Sequence, residues 1–149
     1  MDFSNTSDIL AGIAIIVSIA SAAYQWYLDS HMNKVNLEAD DFRTLYSKHL
    51  LYELPKARMY IRFKNGKLVD IENTLNELNA IRKDSLYFLY ADKDFYTDIK
   101  IELQNLENFL IETAEEKLES QEEQQNVLNQ IHSRLEMIYK IFNSKYIGN

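Results

Sequence analysis

The chain has 149 residues and a formal net charge of −7, from 16 Lys and Arg against 23 Asp and Glu. It has no Cys, which excludes disulfides, thiol catalysis and Cys-based metal sites. The acidic balance excludes nucleic-acid binding by the whole surface and leaves only a local basic patch for it, while 3 Gly and 1 Pro leave few turn signals, so long helices are expected.

The first expected element is a membrane span. Residues 9–28, ILAGIAIIVSIASAAYQWYL, carry no charge and lie between Asp8 and Asp29. At about 1.5 Å per residue they reach about 30 Å, the hydrocarbon thickness of a bilayer. Tyr24, Trp26 and Tyr27 gather at one end, where amphipathic rings favour the headgroup level. The alternative of a signal peptide rests on Ala20-Ser21-Ala22, but Asp2 and Asp8, with no Lys or Arg before the run, do not suit its n-region. Lys34, Arg43 and Lys48 all follow the span, so the positive-inside rule puts the N-terminus outside and the larger domain in the cytoplasm. The expected organisation is therefore an anchor over residues 1–30 and a helical domain over 31–149. The fold class is all-α, a single transmembrane helix continuing into a cytoplasmic antiparallel bundle.

One face of the span is small and polar: Ala11, Ala14, Ser18, Ser21 and Gln25 follow a 3-4-3-4 spacing. Small residues let helices approach closely in lipid, and Ser and Gln can hydrogen-bond across the contact. The same spacing continues through Leu28, Met32, Val35, Ala39, Phe42 and Tyr46. A parallel homo-oligomer explains both halves; the alternative is that the outer half packs on its own domain.

The helix is expected to run to about Leu54, with Pro55 ending or kinking it and opening a short helix, Lys56 to Lys64. Leu50, Leu54, Ala57 and Ile61 keep helical spacing across that point. A β-hairpin is the rival reading, because Met59, Ile61 and Phe63 alternate before Asn65-Gly66. Ile71, Leu75 and Leu78 begin a third stretch ending near Tyr90, and Asp94 is a candidate cap for the next helix. Ile99, Leu103, Leu106, Leu110 and Ala114 give that helix a core face. Residues 112–126 hold six Glu and one Lys, with Ser120 and Glu123 spaced as a capping box. The last helix carries Leu128, Ile131, Leu135, Ile138 and Phe142, and the two stripes describe an antiparallel pair.

No catalytic residue, metal ligand or cofactor site is expected. Gly at positions 12, 66 and 148 alone can build neither a dinucleotide fingerprint nor a P-loop. His31, His49 and His132 lack a second ligand at helical spacing and are expected at a surface or interface. The one anomaly is a basic segment. Between Pro55 and Val69 stand Lys56, Arg58, Arg62, Lys64 and Lys67 with no acid, +5 in a chain that carries −12 elsewhere. Tyr60 and Phe63 lie among them, a pattern suited to phosphates and stacked single-stranded bases. Pairing with the chain's own Glu-rich stretch and contact with anionic lipid are the competing readings.

The ILAGIAIIVSIASAAYQWY anchor, the KARMYIRFKNGK segment and the helical C-terminal half resemble small, N-terminally anchored bacterial membrane effectors of anti-phage defence, such as the Hailong type. That resemblance implies a channel in the bacterial inner membrane held inactive by a single-stranded DNA oligomer, and a protein encoded nearby as a further partner. A membrane-anchored scaffold without a pore and a holin-like phage lysis protein are the alternatives.

Overall fold

The computed structural model describes the backbone of residues 3–147 and the side chains of residues 17–32 and 35–145. The chain divides into two units, Met1–Asp41 and Phe42–Asn149.

Helix α1, Phe3–Leu45, is 43 residues long and contains no Pro. In the first unit every described side chain from 17 to 32 is exposed, Trp26 to 74% and Val17, Ile19, Tyr24 and Tyr27 nearly as much. Ser18, Ser21, Gln25, Leu28, Met32 and Val35 of the expected seam are among these exposed residues or continue them, whereas Ala11 and Ala14 lie outside the described side chains. Among the described residues no helix is long and apolar enough to cross a membrane. Residues 9–16, the first part of the expected span, are not among the described side chains.

The second unit opens with the seam's last members. Phe42 is buried and stacks on Tyr46, and it also touches Phe88, Phe95 and Phe142. Tyr46 donates a hydrogen bond to Asn143 Oδ1 at 3.0 Å. Phe42 therefore belongs to its own unit's core, and Tyr46 packs against that core. Continued at about 3.6 residues per turn, their stripe would reach positions 49 and 53. The next buried apolar residues are Leu50 and Leu54, one position later. A π-helical segment, Tyr46–Glu53, absorbs that residue, with the Leu54 N–H donating to the His49 carbonyl. Helix α2, Leu54–Arg58, follows without a break, with Pro55 in its first turn; the Leu50 carbonyl, which the missing Pro55 N–H cannot meet, accepts from the Tyr139 hydroxyl at 2.6 Å.

The expected helix Lys56 to Lys64 is corrected here. It ends at Arg58, and the chain forms a hairpin of β1, Arg62–Lys64, and β2, Lys67–Val69. Asn65 and Gly66 take φ of 54° and 79°, the two-residue turn whose twist matches paired strands. Helix α3, Glu72–Asp84, a 3₁₀ turn, Ser85–Tyr87, and the short α4, Phe88–Ala91, come next. Helix α5, Lys93–Glu115, is capped by Asp92 rather than Asp94, its carboxylate accepting from the Phe95 N–H at 3.1 Å. Ser120 and Glu123 form the expected capping box, two reciprocal bonds of 3.1 Å that start α6, Gln121–Ile147.

α5 and α6 run antiparallel. Lys145 near the end of α6 pairs with Asp92 at the start of α5 at 2.6 Å, and Phe142 meets Phe95. Ile99, Leu103, Leu106 and Leu110 face Ile131, Leu135, Ile138 and Phe142 in one core. The second unit is thus mostly helical, with one small two-stranded sheet.

Candidate functional site

The basic segment does not form one patch. The register pairs Arg62 with Val69, Phe63 with Leu68, and Lys64 with Lys67. Side chains alternate along a strand, so Arg62, Lys64 and Lys67 share one face, and all three are exposed. Phe63 and Leu68 occupy the other face and pack on the core. Phe63 is therefore not placed to stack on a ligand beside the cations. Arg62 Nε is held by Asp70 Oδ2 at 2.7 Å, while Lys64 and Lys67 have no ion-pair partner among the described residues.

The turn is fixed from outside. The Leu118 N–H, in the α5–α6 connection, donates to the Gly66 carbonyl at 2.8 Å. A Cβ on Gly66 would come within 2.6 Å of the Leu118 carbonyl oxygen. The hairpin thus docks on the Glu-rich stretch through backbone atoms. No ion pair joins its cations to those glutamates among the described residues; Lys117 pairs locally with Glu119.

The remaining basic residues lie on α2. Lys56 sits over the Tyr52 ring at 5.6 Å, and Tyr60 is half exposed just beyond the helix. Arg58 turns toward α6, where it lines a groove with His132, Glu136 and Tyr139. Because α2 stops at Arg58, Arg58 and Arg62 are not neighbours along a helix, contrary to the expected spacing.

A second cluster forms around His49. Expected at a surface or interface, His49 is 1% exposed. Its Nδ1 lies 2.6 Å from Glu77 Oε1 and its Nε2 lies 2.9 Å from Asp84 Oδ2. Lys48 adds a bond to Asp84 at 2.8 Å. That bond, then the one from His49, holds the Asp84 carboxyl below its ordinary range, and the same contact raises Lys48. The cluster ties the π-helical segment to α3 and is closed to any large ligand. Two signals pointed to it: His49 stands seven residues after Phe42, and Glu77 and Asp84 are themselves seven apart.

Among the described residues no group of three or more His, Asp or Glu is placed to hold a metal ion. No family model matches the chain, and neither a curated protein nor a solved structure matches it.

Proposed function

We propose that this chain is a homo-oligomeric, single-pass membrane protein that binds a phosphate-rich ligand on the outer face of its hairpin and performs no catalysis. The observation that carries the ligand reading is Lys64 directly opposite Lys67, with Arg62 on the same face. Like charges opposed across a strand pair are destabilising, by up to about 1 kcal/mol. A polyanion bound there turns that repulsion into attraction, and single-stranded nucleic acid is the ligand of this class that the resemblance suggests. The membrane reading is supported by the uncharged run 9–28 and by the exposed Val17, Ile19, Tyr24, Trp26 and Tyr27. Self-association is supported by Ser18, Ser21 and Gln25 standing exposed on one helix face. In its fullest form the protein is a ligand-gated channel of anti-phage defence in the bacterial inner membrane, with its N-terminus outside.

The reading of a membrane-anchored scaffold without a pore has one specific observation in its favour. Phe42 is buried in its own unit's core and Tyr46 packs against that core, so the seam left for a second copy is shorter than the sequence spacing implies.

Anisotropy of a fluorescent oligothymidylate tests the ligand site, using the full chain in detergent. Binding should weaken steeply with salt, and replacing Lys64 and Lys67 together by Gln should lower the log–log salt slope by about 1.4, roughly 0.7 per lost phosphate contact. Unchanged affinity and slope in that variant would contradict the assignment.

A further inference from the structure

Arg58 is half-buried, whereas the other cations of the basic segment, Lys56, Arg62, Lys64 and Lys67, are exposed. Its Nε is buried and has no hydrogen-bond partner among the described residues. A buried charged donor left without an acceptor is destabilising, because its lost hydration is not replaced. The neighbouring acids do not supply one: Glu136, on the same groove, is paired with Lys140 at 3.0 Å, and that contact holds its carboxyl below the ordinary range. The Tyr139 hydroxyl donates to the Leu50 carbonyl at 2.6 Å and makes no bond to Arg58 Nε.

The space in front of Arg58 is a groove of about 560 Å³ between α2 and α6. Ligand pockets commonly run from about 300 to 1,000 Å³. Leu54 and Leu135, both almost fully buried, give it an apolar lining, extended outward by Pro55. His132 is exposed at its margin and offers a second donor. An Arg fork beside an apolar lining suits one kind of molecule, a tetrahedral or planar oxyanion joined to a compact apolar body.

We infer that the α2–α6 groove is a binding site for a phosphate ester carrying an apolar group, with a phosphate oxygen accepting from the Arg58 guanidinium and the apolar group lying against Leu54, Pro55 and Leu135. This site does not depend on the hairpin reading. Its chemistry is shared by a phospholipid headgroup with its first acyl carbons and by a soluble aromatic or alkyl phosphate.

The side-chain Nε–Hε resonance of Arg58 reads the site directly. In ¹⁵N-Arg-labelled full chain in a zwitterionic detergent, the resonance is assigned by its loss in Arg58→Lys. Phenyl phosphate should shift it saturably, with an affinity at least about tenfold above that for inorganic phosphate, since tenfold needs only about 1.4 kcal/mol of apolar burial. His132→Trp, an exposed position, should fill the groove and abolish the shift while the resonance itself persists. Replacing Lys64 and Lys67 by Gln should leave the shift unchanged. In nanodiscs of phosphatidylglycerol, a resonance already displaced and no longer responsive to phenyl phosphate assigns the site to lipid; a resonance still responsive there assigns it to a soluble ester. Absence of any saturable shift with phenyl phosphate in detergent overturns the proposal. So does equal affinity for inorganic phosphate, a shift that survives His132→Trp, or one that vanishes with the hairpin lysines.

Discussion

Two long helices of this chain treat apolar side chains in opposite ways. Along α5, Ile99, Leu103, Leu106 and Leu110 recur at helical spacing and are fully buried. Along α1, Val17, Ile19, Tyr24, Trp26 and Tyr27 are exposed, beside a face of Ser18, Ser21 and Gln25. An amphipathic stripe finds its partner within the fold, whereas exposed apolar residues on a helix are left for another surrounding. Stability and function should separate accordingly: substitutions in the core of the second unit act on its folding, and substitutions at residues 17–32 act on whatever covers them.

The largest expected effect breaks the core. Phe142 is fully buried among Phe42, Tyr46 and Phe95. Phe142→Ala should lower the unfolding free energy of the second unit by about 3–5 kcal/mol in a denaturant titration. Trp26→Ala should leave that transition within about 0.5 kcal/mol of wild type. Equal losses from the two would erase the contrast.

The next effect concerns the turn that presents the cations. Gly66→Ala puts a Cβ at positive φ and against the Leu118 carbonyl. It should cost about 1–3 kcal/mol and release the hairpin from the α5–α6 connection, seen as faster amide exchange at Leu118.

A smaller effect depends on pH. The bond from Lys145 and the Phe95 N–H hold the Asp92 carboxyl below its ordinary value of 3.8. A depressed carboxyl stabilises the folded state above its unfolded pKa, and that contribution is lost as the pH falls through the depressed value. Asp92→Asn keeps a capping side chain and loses the ion pair. It should cost about 1–2 kcal/mol at neutral pH, and its difference from wild type should close in acid. A constant difference across that range would assign the effect to the cap instead.

The smallest effect has the opposite sign. Lys67→Glu replaces a like-charge cross-strand pair by an opposite one, and should raise stability by a few tenths of a kcal/mol, up to about 1. Oligonucleotide binding should fall in the same variant. A gain in stability together with a loss of binding marks a residue kept for its ligand.

Where one periodicity ran unbroken, the sequence was readable. The stripes of α5 and α6 and the Ser120–Glu123 box were plain, because each is a local pattern with a single structural solution. Three features were hidden by competing patterns. Leu50, Leu54, Ala57 and Ile61 keep helical spacing, so the short strands after Arg58 were outweighed, although Asn65-Gly66 signalled their turn. The one-residue phase slip between Tyr46 and Leu50 was masked because spacings of three and four tolerate it locally; only the buried partners reveal the π-helical segment. His49 is expected at a surface or interface because its partners, Glu77 and Asp84, come from a helix nearly thirty residues away, and only spacings of seven mark the cluster. Of the candidate site, the cations were legible, but their division between the hairpin face and the α2–α6 groove depends on strand register.

The proposed oligomer requires the exposed face of α1 to meet a second copy of this chain within a membrane. Oxidative cross-linking of a Gln25→Cys variant in isolated membranes reads this contact, since the chain has no Cys of its own. A disulfide-linked dimer should stay in the membrane pellet after an alkaline wash, with far less dimer from Cys placed at Ile19. A monomer released into the supernatant by that wash would contradict it.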